Sequence, residues 1–410
     1  MKSIEKVIVS LQFSPGFEME VGEMVLAQRK IYFKYNSSFL ESGLDISPLK
    51  LKRSNAIQVC EEYHFDGLFG VFDDSLPDGW GKLLTDRQLI TEGLPLHFVT
   101  PLHRLSFVGS NGRGALTYRP VLKSSHKIES EINLDIFAKA SLRIFDGHPE
   151  IKLDEIRKIG GSSGGARPKI QVLYNANENT ILGDSFPPKK GFESWIIKFP
   201  NTNDFKDAAQ IEYAYYLMAL DAGIEMTESK LFTTKKGNYY FGTKRFDRNK
   251  NNRLHMISAA GLTHDNYRLS SLDYGHLMDA AFRLEKDIRA CEKIFRLAVF
   301  NVLTHNRDDH SKNFSFLMNE NGNWKFAPAY DLTFSNSSHG WQSTSVAGES
   351  KNPQVKDLVK LAHIFQIKNH SEIIDHVEAV VLDWKKYAHG ADVKSENQKY
   401  IAKVLSGIFR

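Results

Sequence analysis

The sequence predicts an α+β protein, and three patterns along its 410 residues point that way. The stretch to about residue 122 is strand-rich. A glycine loop then leads into a strand, strand, helix, strand order, and from about residue 249 the periodicity becomes mainly helical. A chain of this length exceeds one core of ordinary size, so two or three structural units are expected. Apolar residues at 41% and charged residues at 25% are the balance of a soluble globular protein. The net charge of +4 is too slight to argue a nucleic-acid groove. Cys60 and Cys291 lack CxxC spacing, which disfavours a disulfide framework or a cysteine zinc site. Residues 1–9 carry regular charges without the apolar run of a signal peptide, and no segment is apolar for long enough to span a bilayer. A cytoplasmic location is expected.

Taken in order, residues 7–11 and 24–33 read as strands between turn clusters. Leu76-Pro77-Asp78-Gly79-Trp80-Gly81 makes a turn before Leu83, Leu84, Arg87 and Leu89, which suit a short helix. Gly109-Ser110-Asn111-Gly112-Arg113-Gly114 reads as a connector, since no helix or matching lysine follows it. Residues 124–133 are mostly polar and read as a linker, and a helix is predicted from about Leu134 to Phe145. The expected units are therefore 1–122, 123–248 and 249–410.

Gly160-Gly161-Ser162-Ser163-Gly164-Gly165-Ala166 can turn backbone N–H groups toward an anion, because no Cβ blocks the approach. It is no Walker loop, since Lys169-Ile170-Gln171-Val172-Leu173-Tyr174 continues as a strand; the alternative is a flexible linker. Trp195-Ile196-Ile197-Lys198-Phe199-Pro200 is a buried-strand pattern holding one lysine, which either meets an anionic partner or snorkels to water. A helix follows, with Asp204 as N-cap, Ile211, Tyr215, Met218 and Ala222 as its apolar stripe, and Gly223 as its stop. Glu212 sits at the stripe's edge, placed either to pair with Lys198 or to meet solvent. Phe241-Gly242-Thr243-Lys244-Arg245-Phe246-Asp247-Arg248 reads as a strand leaving this unit.

Arg307-Asp308-Asp309-His310-Ser311-Lys312-Asn313-Phe314 and Pro328-Ala329-Tyr330-Asp331 carry the densest chemistry. Phosphoryl transfer to a hydroxyl needs an aspartate to orient the acceptor, an asparagine five residues on to reach Mg²⁺, and a second aspartate at the metal. Asn306-Arg307-Asp308 keeps the Arg-Asp and the spacing to Asn313 of the kinase signature H-R-D-x-x-x-x-N, whereas Asp309 is one position out of register. Asp247/Asn252 and Asp331/Asn336 repeat that spacing, so the context decides. A helical stripe precedes the loop, and two short strands follow, Phe314-Ser315-Phe316-Leu317 and Trp324-Lys325-Phe326-Ala327; the alternative is a solvated turn capped by Asp and Asn. The order of glycine loop, lysine strand, helix glutamate, hinge, Asp-Asn loop and metal aspartate predicts a two-lobed protein-kinase-like fold. Its amino-terminal lobe is β-rich, its carboxy-terminal lobe mainly helical, and an extra β-rich subdomain precedes both.

There is no D-F-G and no A-P-E. Over nearly its whole length the chain resembles the HipA family of bacterial serine/threonine kinases, toxins of type II toxin–antitoxin modules. The resemblance rests on the segments quoted above together with Phe72-Asp73-Asp74-Ser75-Leu76-Pro77-Asp78-Gly79-Trp80-Gly81 and Phe107-Val108-Gly109-Ser110-Asn111-Gly112. It implies ATP and Mg²⁺ as cofactors, with Lys198, the loop residues Ser162, Ser163, Gly164 and Gly165, Lys169, Lys244, Phe246 and His310 around the nucleotide. Asp308 would be the base, and Asn313 and Asp331 would hold the metal. It further implies autophosphorylation at Ser162, with Ser163 as the rival. The implied partners are a small helix-turn-helix antitoxin, operator DNA reached mainly through it, and a protein substrate such as an aminoacyl-tRNA synthetase. The sequence departs from the family at Arg167-Pro168, where proline removes a backbone donor, and at Lys244, a hinge position commonly acidic. A silent nucleotide-binding corepressor and a small-molecule phosphotransferase are the rival readings.

Overall fold

The structure, a computed structural model, describes residues 4–122, 131–145, 167–202, 204–337 and 340–408. The amino-terminal part is built on a five-stranded antiparallel sheet in the order Gln58–Val59, Lys30–Tyr35, Phe17–Ala27, Lys6–Ser14, Leu116–Arg119. Alternation puts Val7, Val9, Leu11 and Phe13 on its buried face. The single strand expected over 24–33 is instead two, joined by a hairpin turn. Gln28 and Arg29 both adopt positive φ, 49° and 63°, and Ala27 pairs with Lys30. Two-residue hairpin turns of this kind normally advertise themselves with Asn-Gly, and that signal is missing here. The short helix expected around Leu83 to Leu89 is present and longer, Gly79–Thr91, and a second helix, Pro101–Val108, capped by Thr100, follows before Leu116–Arg119 rejoins the sheet.

A second five-stranded antiparallel sheet runs Thr180–Gly183, Lys169–Asn175, Glu193–Lys198, Tyr239–Lys244, Ser229–Thr233. The helix Leu134–Phe145 packs Phe137 on it, against Phe199 at 4.6 Å. The carboxy-terminal part is mainly helical, but the hairpin that follows Asn313 is not its only β structure. His255–Ser258 pairs with Ser315–Met318, which pairs with Trp324–Phe326, making a three-stranded sheet.

The helix bearing Glu212 spans Ala208–Asp221, and Asp207 rather than Asp204 stands at its N-cap. Asp204 is drawn off by Arg167, 3.0 Å away, and accepts the Asn201 N–H at 3.1 Å. Gly223, at φ +76°, ends the helix as expected. Tyr215 locks the helix to the carboxy-terminal part by donating its hydroxyl to the Thr304 carbonyl at 2.5 Å.

The apolar cores do not follow the order of the chain. One cluster joins the amino-terminal sheet, through Phe33, Phe69 and Phe72, to Tyr274, Ile294 and Phe300 of the helical part. The second sheet has its own core of Val172, Trp195, Ile197 and Phe232, which also takes in Trp80. The amino-terminal subdomain is thus packed onto the helical lobe. Among the described residues, no helix is long and apolar enough to cross a membrane.

Candidate active site

Lys198 ends its strand directly opposite Lys169 in the antiparallel register. Its ammonium pairs with both Glu212 and Asp331. Lys198 is 11% exposed at its side chain and Glu212 4%, so neither charge could stay there alone. Burial works to lower the Lys198 pKa, but Asp331 and Glu212 outweigh it and hold the ammonium above its usual value. Lys169 lacks that compensation. Burial pushes its pKa down, Asp331 opposes this, and Lys198 adds to it. Asp331 feels the reverse: burial would raise its carboxyl, yet Lys198 and then Lys169 hold it below the usual carboxylate range. Its backbone is left-handed, φ +55°, a conformation that costs a non-glycine residue about 1–2 kcal/mol. The preceding residue anchors it, since the Tyr330 hydroxyl donates to the Lys312 carbonyl at 2.7 Å and lies 2.6 Å from Ser315 Oγ.

The helix Ile288–Leu303 delivers the second half of the site. Beyond it the Asn306 amide donates to Asn301 Oδ1 at 2.9 Å, and the Arg307 N–H donates to the Ser335 carbonyl at 3.1 Å. The next two aspartates then part ways. Asp309 is buried and accepts from the Tyr274 hydroxyl at 2.6 Å and from the Ser343 and Thr344 N–H groups at 3.0 and 3.2 Å. Burial pushes its carboxyl up to about 6 against these donors. Asp309 is the loop's anchor. Asp308 turns outward, 56% exposed, with His310 Nε2 at 3.9 Å. Desolvation raises its carboxyl, His310 opposes, Asp331 adds, and Arg167 and Lys169 oppose. The Asn313 amide donates to the Asp308 carbonyl at 2.7 Å, which frees Asn313 Oδ1 for another partner.

The remaining residues named from the sequence are placed as follows. His310 packs 5.6 Å from the Tyr267 ring, and its Nδ1 is buried without a hydrogen-bond partner among the described residues. Phe246 lies 5.4 Å from the Tyr330 ring. The Lys244 side chain pairs with Glu193; its N–H donates to the Glu228 carbonyl at 2.9 Å, and its own carbonyl accepts from Thr227 Oγ1 at 2.9 Å. Its backbone is therefore engaged within the protein. Ser162, Ser163, Gly164 and Gly165 lie outside the described residues. The 109–114 turn, expected to be a connector, ties units together: the Gly112 carbonyl accepts from Arg245 and Arg248, and the Gly114 N–H donates to Asp247. Sequence reasoning missed the carboxylates that meet Lys312. The only available signal was a lysine, unassigned, beside Asn313.

Among the described residues, no cluster of three His, Cys, Asp or Glu side chains forms a ready-made metal cage. The pair expected at the metal, the Asp331 carboxylate and Asn313 Oδ1, is chemically of the kind Mg²⁺ takes beside waters and substrate phosphates. It would not suit zinc.

The known proteins agree with this architecture. Residues 17–119 match the HipA N-terminal domain and residues 161–384 the HipA-like C-terminal domain. A chain of the Shewanella oneidensis MR-1 toxin–antitoxin complex of HipA, HipB and operator DNA superposes with a TM-score of 0.66, covering 97% of this chain and 94% of that one at 15% identity. A protein of Haemophilus influenzae named as a kinase is 27% identical over 190 residues, 43% of this chain and 53% of the relative. The chain thus spans about half the length of that curated relative. Fold and domain content define an α+β protein of the two-lobed, protein-kinase-like class with an added amino-terminal subdomain. The chain belongs to the HipA family.

Proposed function

We propose that this chain is an ATP- and Mg²⁺-dependent protein serine/threonine kinase, and the toxin of a type II toxin–antitoxin module acting in the cytoplasm. The observation that carries this reading is Lys198 paired with both Glu212 and Asp331, together with an Asp308 turned outward where its neighbour Asp309 is buried. A lysine this buried has use for two carboxylates where a polyphosphate must be met without losing the lysine's position. Units 1–122, 123–248 and 249–410 are read as the added subdomain, the nucleotide lobe and the catalytic lobe.

In this scheme Lys198 and Lys169 offset phosphate charge, and Glu212 holds Lys198 in place. Asn313 Oδ1 and the Asp331 carboxylate would hold Mg²⁺, which when bound neutralises charge on the phosphates. Asp308 accepts a hydrogen bond from the acceptor Ser or Thr hydroxyl and takes its proton. The hydroxyl oxygen bonds to the γ-phosphorus, the β–γ bridge breaks, and ADP leaves. Asp309 cannot exchange roles with Asp308, because its carboxylate is spent on Tyr274 and the 343–344 backbone. Autophosphorylation at Ser162, or else Ser163, would follow the family's pattern. The HipA–HipB–operator assembly of the Shewanella neighbour supports a HipB-like helix-turn-helix antitoxin as partner, with operator DNA reached through it. By the same family pattern the protein substrate would be an aminoacyl-tRNA synthetase.

Phosphoproteomics of cells expressing the wild type beside Asp308→Ala tests this reading. Growth arrest and new phosphoserine or phosphothreonine sites are expected with the wild type only. Arrest by both proteins without new phosphorylation would favour a silent nucleotide-binding corepressor.

A further inference from the structure

The segment Phe72-Asp73-Asp74-Ser75-Leu76-Pro77-Asp78-Gly79-Trp80-Gly81 has no part in the scheme above, yet it bridges both cores. Phe72 is buried in the core shared with the helical lobe, and Trp80 in the core of the nucleotide lobe. Between those anchors lie three aspartates. Asp73 and Asp78 face the Lys312 ammonium at 3.2 and 3.6 Å, with Lys312 only 8% exposed at its side chain and the two acids 15% and 16%. Asp74 accepts from both the N–H and the hydroxyl of Ser258 at 2.6 Å, and its carbonyl takes the Arg113 guanidinium at 2.7 Å. The backbones touch here. A Cβ on Gly70 would come within 2.4 Å of the Gly261 carbonyl oxygen, and one on Gly261 within 2.3 Å of the Asp74 carboxylate.

Lys312 stands next to Asn313 and four residues after Asp308, and its carbonyl holds the Tyr330 hydroxyl next to Asp331. A long, nearly buried side chain fixed at both ends leaves its backbone little freedom. Removing either carboxylate would expose an imperfectly compensated charge inside the protein.

We propose that Asp73 and Asp78 are positioning residues for phosphoryl transfer: by gripping Lys312 they set the places of Asp308 and Asn313. The amino-terminal subdomain is then a working part of the catalytic loop. This rests on the kinase reading of that loop. The segment acts as a strut from one lobe to the other, and the loop's geometry depends on it.

The test uses the full chain carrying Asp73→Asn with Asp78→Asn, Lys312→Met, or Lys312→Arg. Hydrogen exchange at the amides of residues 306–313 is measured beside steady-state transfer from ATP and melting temperature. In the double Asn variant and in Lys312→Met, loop exchange should quicken by about tenfold or more with little change elsewhere. The kcat should fall by about tenfold or more while KM for ATP moves less than about twofold, since Lys198 and Lys169 are untouched. Lys312→Arg should recover most of the kcat. Unchanged loop exchange would overturn the proposal. So would kcat and KM worsening together in step with a lower melting temperature, which marks general destabilisation. If the wild type itself transfers no phosphate, the kinase reading fails, and loop exchange alone then decides whether the strut exists.

Discussion

The two five-stranded sheets of this chain share a size and an antiparallel layout but treat charge in opposite ways. The first buries Val7, Val9, Leu11 and Phe33, and leaves Lys6 and Glu23 to pair at the surface. The second builds a similar core from Val172, Trp195 and Ile197, yet sets Lys169 and Lys198 side by side on neighbouring strands, both nearly out of water. Like charges opposite each other destabilise a sheet, and burying each ammonium costs several kcal/mol more. Glu212 and Asp331 offset this for Lys198. On the reading proposed above, charge buried against the grain of sheet energetics marks the second sheet as the one that works on a substrate and the first as scaffold.

That contrast can be broken most forcefully at Lys198. Lys198→Met should cut phosphoryl transfer by about 10²–10³-fold, as loss of one preorganised electrostatic contact does. Glu212 and Asp331 would be left facing each other without their shared cation. A rate assay on purified protein checks it, and an unchanged rate would make both sheets scaffold. Leu11→Ala, at a fully buried site of the first sheet, should lower unfolding free energy by about 2–5 kcal/mol in denaturant titration. The folded molecules should keep their KM for ATP. A selective loss of nucleotide affinity would erase the division of labour.

The next effect is a change of slope with pH. Asp331 is held below the usual carboxylate range in the folded chain, so the unfolded chain binds the proton more readily. Its contribution to stability is fully present above about pH 4 and lost as pH falls further. Asp331→Asn should lower stability most in the neutral region and flatten the acid limb of a stability-against-pH curve, the two proteins converging at low pH. An acid limb as steep as the wild type's would show that Asp331 is not charge-coupled to the lysines. Smallest of all is Lys6→Ala, which breaks an exposed pair with Glu23 and should shift stability by about 0.5 kcal/mol or less.

Part of the candidate site was legible in the sequence. Lys198 stood out as one charge in an apolar run, and Glu212 as an acid on the edge of a helical stripe; of the two outcomes open to Glu212, pairing or solvent, the structure shows pairing. The choice of Asp308 over Asp309 was a matter of register, and the structure shows a physical reason for their difference in the bonds that bury Asp309. Other features were illegible for reasons equally physical. The turn at Gln28 and Arg29 uses positive φ without the residues that favour it. Asp207 displaced Asp204 as helix cap because Arg167, distant in sequence, claimed Asp204. His255–Ser258 is too short to reveal a partner in Ser315–Met318. The Asp73–Lys312 pair joins residues 239 positions apart, and no periodicity reports a contact of that range.

The most direct measurement is transfer from γ-labelled ATP with Mg²⁺ to the chain itself and to a lysate, comparing wild type with Asp308→Ala. Label on protein serine or threonine from the wild type, reduced about 10²–10⁴-fold in the variant at equal melting temperature, is the expected result. Equal labelling by the two proteins, or none from either, would contradict the assignment of this site to hydroxyl phosphorylation.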